Sequence, residues 1–432
     1  MYREKMPSIM DEVMYLLEGA GKSGRTVSDM ANILSRRRKQ NVTGLQIRGA
    51  IDRLRESNKL SSDNKSIESR GGEVFAMRKK KTPRKNVRKN TSGTTPTRVA
   101  INGFGRIGRM VVRAIVESGR KDIEVVAIND LAQPQQAAHL LRYDSAHGAF
   151  PHPVSLSGDA LSVGTACKKA KLFSERDPSK LPWKKLKVDV VLECTGRFTA
   201  RDKAAAHLDA GAGRVLVSAP ATNADLTVVY GVNHKLLRKN HRVVSNASCT
   251  TNCLAPVAQL MHQLCGIEEG HMTTIHAYTG DQALVDMPHS DPRRARAAAS
   301  SMIPTTTGAA RAVSLVLPEL KGRLDGAAVR VPVLNVSVVD LTFRSAKNVD
   351  VATINRAMKR AASSKKWEGI LGVVEEPLVS VDFNHNSHSS VFDTSQTQML
   401  GKRLVRVVSW YDNEWGFANR MADVAVCLGA LG

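Results

Sequence analysis

Cys249 is the residue whose surroundings most favour chemistry. It lies in the segment SNASCTTNC, residues 245–253, directly before the apolar run LAPVAQLMHQL. Ser248 can cap a helix there, which predicts that Cys249 stands at the helix N-terminus. The helix dipole and the unpaired N–H groups at that position stabilise a thiolate, the nucleophilic form of cysteine. Taken alone, however, such a cysteine is more simply interpreted as a buried structural residue.

A glycine-rich turn earlier in the chain is suited to holding a phosphate. Residues 98–102, RVAIN, are typical of a buried strand, and GFGRIG then leads into a helix through Ile115. Gly103 would permit the tight turn, Gly105 the approach of a pyrophosphate, and Gly108 close packing of helix on strand. The helix N-terminus adds unpaired N–H groups and a positive dipole end.

A carboxylate follows at the spacing that dinucleotide sites require. Residues 123–128, IEVVAI, predict a second strand that leads to Asp130, 22 residues beyond Gly108. The expected spacing is about 20 residues. Asp130 can accept hydrogen bonds from ribose hydroxyls and would repel a 2′-phosphate, so the sequence predicts NAD rather than NADP as cofactor.

The elements that position these groups alternate between strand-like and helix-like segments from Arg98 onward. Such alternation predicts an α/β fold with a parallel sheet.

Six motifs then carry a family resemblance, and they are INGFGRIGR, SNASCTTNC, TTIHAYTGDQ, RRARAAASSMIPTTTGAARAV, RVPVLNVSVVDLTF and WYDNEWGF. From Arg98 to Gly432 the chain resembles the phosphorylating glyceraldehyde-3-phosphate dehydrogenases.

This resemblance implies a Rossmann-type, doubly wound NAD domain over residues 98–248. It further implies an α+β catalytic domain with a mixed sheet over 249–412, and a C-terminal helix within 413–432 that packs back on the first domain. The family is homotetrameric, and no metal is implied.

The resemblance also implies the chemistry. Cys249 matches the nucleophile and His276 its partner. The thiolate attacks the aldehyde of glyceraldehyde 3-phosphate, hydride passes to the nicotinamide, and inorganic phosphate releases 1,3-bisphosphoglycerate from the thioester. His276 would stabilise the thiolate, donate to the developing oxyanion and accept the hemithioacetal proton.

The binding residues are implied by the same motifs. Thr279 and Arg330 match the site for the substrate phosphate, with Asp281 beside them. The inorganic-phosphate site matches Ser248, Thr250, Thr307 and Gly308. The NAD contacts match Arg106, Ile107, Asp130, Arg176, Ser218 and Asn413, and Pro288 matches a residue that crowds the 2′-phosphate position. The chain departs from common family residues at Gly280, Met287 and Cys194.

Composition excludes several other classes of protein. The sequence has no apolar run of about 18 residues or more, which argues against a membrane helix. Its N-terminus lacks the apolar core of a secretion signal. The six cysteines lack metal-ligand spacing, so they are interpreted as reduced thiols. A soluble, cytoplasmic protein is therefore expected.

Residues 1–97 fall outside the resemblance and are strongly basic. They contain 22 Lys and Arg against 10 Asp and Glu, which is +12 of the chain's net +23. Eight of the twelve residues from Arg78 to Lys89 are basic, so residues 78–97 are predicted to be a disordered linker. Three amphipathic segments and a glycine-centred hairpin at Gly71-Gly72 predict a winged-helix-like module over 1–77. Nucleic acid is the expected partner of residues 1–90.

Other functions stay open at this point. Erythrose-4-phosphate dehydrogenase is a related enzyme whose substrate is one carbon longer. The chain could instead be a DNA-binding regulator that uses the dehydrogenase body as a sensor of NAD or of a metabolite. A third alternative is an enzyme whose N-terminus only tethers it to an acidic partner.

Overall fold

The computed structural model describes residues 95–432 continuously, and nearer the N-terminus it describes Val13, Arg25–Thr26, Met30, Ile33, Leu34, Ala50 and Val74–Phe75. The chain divides into two units, Met1–Gly93 and Thr94–Gly432. In the first unit, strand β1 (Arg25–Thr26) pairs antiparallel with β2 (Val74–Phe75). Val13, Met30, Leu34 and Ala50 are helical and buried.

Two predictions for the N-terminal region can be compared with the structure only in part, because most of the residues concerned lie outside the described ones. The glycines of the predicted hairpin lie outside the described residues, and the described partner of β2 is β1. The predicted linker also lies outside the described residues as far as residue 94, and its last residue, Thr97, already belongs to a strand of the second unit.

The second unit contains two large sheets. Its strands are β3 (Thr97–Asn102), β4 (Ile123–Asn129), β5 (Tyr143–Asp144), β6 (Gly148–Ala149), β7 (Val154–Ser157), β8 (Ala160–Val163), β9 (Cys167–Phe173), β10 (Val190–Glu193), β11 (Arg214–Val217), β12 (Leu226–Thr227), β13 (Val243–Ser245), β14 (Ile267–Ala277), β15 (Ile303–Thr306), β16 (Leu324–Val331), β17 (Ser337–Ser345), β18 (Leu371–Val374), β19 (Ser390–Leu400) and β20 (Leu404–Tyr411). Its α-helices are α1 (Arg106–Glu117), α2 (Pro134–Arg142), α3 (Trp183–Leu186), α4 (Arg201–Ala204), α5 (Ala206–Asp209), α6 (Cys249–Cys265), α7 (Ala309–Val316), α8 (Val351–Ala362) and α9 (Trp415–Gly429).

The first sheet has the strand order β12-β13-β11-β10-β3-β4-β9-β8-β7. Its strands from β12 to β9 run parallel, and β8 and β7 continue the sheet antiparallel. The chain leaves β3 for β4 on one side and later returns to β10 on the other, so the strand order reverses between β3 and β10. A crevice at the carboxyl ends of the strands forms at such a reversal and is where dinucleotides bind.

The second sheet is mixed and has the order β15-β16-β14-β17-β20-β19-β18. Its strands β14 and β16 run parallel, whereas β14 and β17 run antiparallel. Helices α6 and α7 contribute apolar residues to the core on this sheet, among them Leu254, Val257 and Val313. The architecture implied by the family resemblance, a Rossmann-type domain with a mixed-sheet catalytic domain, is present.

The C-terminal helix returns to the first sheet. Met421, Val424 and Leu428 of α9 are fully buried in the same core as Val99 and Ile115 of β3 and α1. Burial of this apolar face stabilises the helix at a place distant from it in sequence. None of the helices in the described part of the chain is long and apolar enough to cross a membrane.

Candidate active site

Cys249 begins helix α6, as its sequence context predicts. The preceding Ser248 is the N-cap, and its Oγ accepts a hydrogen bond of 3.0 Å from the backbone N of Thr251. Ala247, fully buried, has φ of +54°, in the left-handed region that costs energy for a residue with a Cβ. The surrounding core therefore holds a strained turn directly before Cys249. This turn places Cys249, which is partly exposed, at the first position of helix α6.

His276 lies beside this thiol. Its Nε2 is 3.5 Å from Sγ of Cys249, and its Nδ1 is 2.6 Å from the backbone oxygen of Ala277. Nδ1 also lies 3.1 Å from Arg330 Nη1, which only donates, but its shorter contact is with the carbonyl oxygen, which only accepts. We therefore assign the proton of the neutral ring to Nδ1. The lone pair of Nε2 then faces the thiol and is free to accept its proton.

Burial governs the ionisation of both groups. It raises the pKa of the Cys249 thiol, although the Arg330 charge and the Thr250 amide act in the opposite direction. Burial, with a further contribution from Arg330, lowers the pKa of His276 to about 3. The uncharged pair is thus favoured in the free protein, which differs from the thiolate that the helix N-terminus alone predicts. Proton transfer from Sγ to Nε2 would create two opposite charges in contact, so the two groups titrate as a pair.

Arg330 and Thr279 come together on the other side of His276. Arg330 Nη1 donates to Thr279 Oγ1 over 2.9 Å and to the Ala277 oxygen over 3.1 Å. Thr279 also donates to the carboxylate of Asp281, which Arg294 Nη1 neutralises at 2.7 Å. The carboxylate is therefore engaged by its neighbours. The Arg330 guanidinium can bind an anion, and the Thr279 hydroxyl can join it when its one proton turns away from Asp281.

Two helix N-termini meet near Cys249. Gly308 is the N-cap of α7, and Thr307 Oγ1 accepts from the backbone N of Ala309 over 3.1 Å. Thr251 Oγ1 of α6 donates to the oxygen of Ala309 over 3.4 Å, which links the two helix starts. Helix N-termini attract anions. Thr250, predicted with this group, is buried and directs Oγ1 to the Tyr411 hydroxyl at 2.8 Å.

A cleft of about 340 Å³ lies at the strand-order reversal of the first sheet. Its walls fit a dinucleotide. Gly103 has φ of +91°, and a Cβ there would lie 2.7 Å from the backbone N of Thr195. A Cβ at Gly108 would lie 2.2 Å from the Gly103 oxygen, whereas one at Gly105 would meet nothing within 4 Å. Only glycine fits the first two positions, and Gly105 leaves open backbone at the helix N-terminus.

The predicted cofactor residues are divided between the cleft and its surroundings. Gly103, Gly105, Asp130 and Arg176 line the cleft, whereas Arg106, Ile107, Gly108, Ser218 and Asn413 do not. Asp130 accepts hydrogen bonds from the backbone N atoms of Phe104 and of Ala132, the latter at 2.8 Å. Arg106 forms salt bridges with Asp144 and Glu414. Asn413 is buried, and its Oδ1 accepts from Ser337 Oγ over 2.9 Å.

Sequence reasoning missed Tyr411 and Ser337. The Tyr411 hydroxyl bridges Thr250 and Thr274, at 2.8 and 2.9 Å, and its ring packs edge-on against His276. Ser337 Oγ accepts from the backbone N of Ala277 over 3.1 Å. Tyr411 lies within the motif WYDNEWGF, but its partners are more than 100 residues away, so the motif could not reveal its contact.

Comparisons with known proteins agree with this geometry. Residues 97–201 match the family model described as "Glyceraldehyde 3-phosphate dehydrogenase, NAD binding domain", and residues 248–413 match "Glyceraldehyde 3-phosphate dehydrogenase, C-terminal domain".

Three similar proteins carry the name glyceraldehyde-3-phosphate dehydrogenase. The protein of Xanthobacter flavus is 62% identical over 335 residues, which cover 78% of this chain and 99% of that one. The protein of Cereibacter sphaeroides is 61% identical over 77% of this chain and 99% of its own length. The protein of Geobacillus stearothermophilus is 54% identical over 78% of this chain and 99% of its own length. The chain therefore belongs to the glyceraldehyde-3-phosphate dehydrogenase family.

Proposed function

We propose that this chain oxidises and phosphorylates D-glyceraldehyde 3-phosphate to 1,3-bisphosphoglycerate with NAD, through a thioester on Cys249. One observation carries the proposal. The Cys249 thiol lies at a helix N-terminus, 3.5 Å from Nε2 of His276, and Arg330 contacts both Thr279 and the histidine ring. A nucleophile, a base and an anion-binding pair thus lie around one imidazole ring.

The first half of the reaction uses the cysteine and the histidine. Nε2 of His276 accepts the thiol proton while Sγ attacks the aldehyde carbon, so that a C–S bond forms and the carbonyl electrons move to oxygen. That oxygen takes the proton back from His276 and becomes the hydroxyl of a hemithioacetal. The cleft lined by Gly103, Gly105 and Asp130 would hold NAD, which would supply the acceptor for the hydride of this carbon. His276 removes the hydroxyl proton as the C=O bond forms again, which leaves the thioester.

The second half releases the product. Inorganic phosphate, held where α6 and α7 begin, attacks the thioester carbon through one oxygen. The C–S bond breaks and the acyl phosphate leaves. The Cys249 thiolate takes up the proton that the attacking phosphate loses, and His276 releases its own proton to solvent. Ser248, Thr307 and Gly308 supply the hydroxyl and N–H groups for the attacking phosphate. Arg330 and Thr279 hold the phosphate of the triose.

Replacement of the nucleophile tests this proposal. Cys249→Ser should abolish phosphate-dependent NAD reduction with the triose phosphate, because a serine hydroxyl is a far weaker acid and nucleophile than a thiol. Calorimetry should show that this variant still binds NAD. The matched control is Cys253→Ser, one helical turn later and buried, which should keep most of the activity. Full activity of Cys249→Ser would exclude the thioester.

Erythrose 4-phosphate is assayed in parallel, and a higher kcat/KM with it would favour the tetrose enzyme.

A homotetramer in the cytoplasm is the proposed native state. The loop before β15 leaves large apolar side chains in water, with Leu284 at 78%, Val285 at 71% and Met302 at 75% exposure. Contiguous exposed apolar groups mark association surfaces. Analytical ultracentrifugation of the intact chain should give four times the chain mass of 46.9 kDa. Leu284→Glu should shift the protein to smaller species, and an unmodified chain that sediments as a monomer would overturn the proposal.

We propose a second activity for the N-terminal region, in which a winged-helix-like module over residues 1–77 and the basic linker over 78–97 bind nucleic acid through residues 1–90. The basic run from Arg78 to Lys89 and the net charge of +12 favour it. The attraction would come mainly from neutralised phosphates and the release of their counterions.

A salt titration distinguishes this second activity from a tether. Log affinity for random duplex DNA should fall linearly with log salt, by about 0.9 per phosphate contacted. A chain truncated to residues 98–432 should lose the binding and keep the dehydrogenase rate. Equally weak binding of DNA and RNA by both forms at low salt would contradict the proposal and favour a protein partner.

A further inference from the structure

A chain of buried polar side chains runs beneath the cofactor cleft. It consists of Trp183, His207, Glu193, Asn102 and Asn129, and we call it the Glu193 relay. Each of the five is at most 5% exposed. Burial of polar groups is costly unless they are hydrogen-bonded, so a fully paired set of this kind rigidifies its surroundings.

Glu193 is the centre of the relay. Its Oε2 accepts from Asn102 Nδ2 over 2.6 Å and lies 3.1 Å from His207 Nε2. Its Oε1 accepts from the backbone N of Thr195 over 2.8 Å and also from the Thr195 hydroxyl. Four donors point at the two oxygens, which an ionised carboxylate satisfies completely because it only accepts hydrogen bonds.

The tautomer of His207 is determined by its other neighbour. Trp183 Nε1 donates to His207 Nδ1 over 3.0 Å, and an indole nitrogen is a donor only. His207 Nδ1 must therefore accept, so the neutral ring carries its proton on Nε2 and donates it to Glu193. Among residues 95–432, His207 is the one basic side chain at salt-bridge distance from Glu193.

The relay reaches both walls of the cleft. Thr195 belongs to one wall, and Asn102 lies at its floor. Asn129 Nδ2 donates to Asn102 Oδ1 over 2.7 Å and to the backbone oxygen of Glu175 over 2.9 Å. The Asn129 side-chain oxygen in turn accepts from the backbone N of Glu175 over 2.8 Å. A continuous set of hydrogen bonds thus extends from the loop after β10 to the loop after β9.

We propose that Glu193, oriented by His207 and Trp183, is a positioning residue that holds both walls of the cleft in the shape that accepts the adenosine half of NAD. The position of Asp130 in the same cleft assigns it to that half, because its carboxylate is suited to ribose hydroxyls. This inference rests on NAD binding in this cleft. It requires no contact between Glu193 and the cofactor, since the side chain acts through Thr195 and Asn102.

Two substitutions at His207 separate positioning from simple packing. His207→Gln keeps an amide donor near the place of Nε2, whereas His207→Leu fills similar space without one. Removal of a donor to a buried carboxylate leaves it partly unpaired, which weakens NAD binding by about tenfold or more if the walls relax. The Kd of His207→Gln for NAD should stay within about threefold of the Kd of the unmodified protein. Glu193→Gln, which turns an NH₂ group toward two of the four donors, should resemble His207→Leu.

The experiment is isothermal titration of NAD and of ADP-ribose into the full chain, with thermal unfolding of each variant measured without ligand. The control is Val125→Ala, which removes buried apolar volume on β4, four residues before Asn129 and away from the carboxyl end of the strand, so its stability should fall while its NAD affinity stays unchanged. We expect His207→Leu and Glu193→Gln to lose affinity for NAD and ADP-ribose equally, with kcat at saturating NAD kept within about twofold.

Three results would overturn the inference. They are unchanged affinity in folded His207→Leu and Glu193→Gln, equal losses in His207→Gln and His207→Leu, or a loss for NAD that ADP-ribose does not share. Failure of the unmodified chain to bind NAD would instead refute the cofactor site itself.

Discussion

His276 and Arg330 are register partners on the adjacent parallel strands β14 and β16, and Arg330 Nη1 lies 3.1 Å from His276 Nδ1. Parallel strands place residues that pair in register at the same edge of the sheet. A permanent cation is thereby fixed beside the base that serves Cys249. Its charge lowers the pKa of both the thiol and the imidazole. The charge that would bind the substrate phosphate is thus, after burial, the next largest influence on the ionisation of the catalytic pair.

Arg330→Gln should therefore make Cys249 react at higher pH. Loss of a proton from Cys249 or His276 makes the pair less positive. The neighbouring Arg330 cation favours that loss and so lowers the pKa at which it happens. Without Arg330, the midpoint of the pH profile for alkylation by iodoacetamide should therefore move to higher pH. Arg344→Gln, an exposed residue on β17 of the same sheet, is the control and should leave the profile unchanged. A shift to lower pH in Arg330→Gln would refute this account of the site's electrostatics.

His276 should make the protein less stable in acid. Its pKa falls from an ordinary 6.5 to about 3 on burial, so below pH 6.5 the unfolded chain binds a proton that the folded chain refuses. The part of the free energy of unfolding that depends on neutral His276 is fully present above pH 6.5 and is lost as the pH falls toward 3. Between pH 7 and pH 4.5 the loss attributable to this group should be about 3 kcal/mol.

Urea unfolding at the two pH values measures this loss. His276→Gln should show a smaller decrease in the free energy of unfolding than the unmodified protein does. His271→Gln, which replaces an exposed histidine on the same strand, should behave as the unmodified protein. An unchanged pH dependence in His276→Gln would show that this imidazole is not buried in its neutral form.

Asp130 should determine the preference for NAD over NADP. Its carboxylate in the cleft would repel a 2′-phosphate, and specificity of this kind depends on the repulsion of the wrong ligand. Asp130→Asn removes the charge and keeps one acceptor oxygen, which can serve the N–H group of Phe104 or that of Ala132 but not both, because they bind different oxygens of Asp130. The ratio of kcat/KM for NAD to that for NADP should fall by roughly tenfold. Asp130→Gly should lower the ratio as well, at some cost in stability because both N–H partners are lost.

The control for cofactor choice is Asp202→Asn, an exposed carboxylate on α4. It should leave the ratio of kcat/KM values unchanged. Equal efficiency of the unmodified protein with NAD and NADP would mean that Asp130 does not face the ribose.

Gly108→Ala and Gly105→Ala should fail in different ways. A Cβ at Gly108 would lie 2.2 Å from the Gly103 oxygen, so the helix or the turn must move, which costs roughly 1–3 kcal/mol or more of stability. A Cβ at Gly105 meets nothing within 4 Å, so Gly105→Ala should unfold at nearly the same temperature. It should nevertheless bind NAD more weakly, since the added methyl group projects where the pyrophosphate approaches. Thermal unfolding and NAD calorimetry on both variants check this, and a stable Gly108→Ala would contradict the close packing of α1 on β3.

The sequence by itself determined the parts of the site that depend on local order. GFGRIG between a strand and a helix, followed by Asp130, predicted the glycine turn, and the structure places α1 at Arg106–Glu117 after that turn. SNASC predicted a capped helix N-terminus, and Ser248 caps α6 at Cys249. Turn, cap and helix are set by neighbours within a few residues, so the chain order contains the information.

Tertiary structure alone decided the relations between distant segments. The family resemblance implied that His276 serves Cys249, 27 positions away, but their distance, the pairing of His276 with Arg330 and the Glu193 relay, which join residues 54 and 91 positions apart, came only from the folded chain. The raised pKa of Cys249 had the same origin, because burial by several elements outweighs the local effect of the helix N-terminus. Desolvation depends on everything packed around a group, and sequence order does not specify which segments pack there.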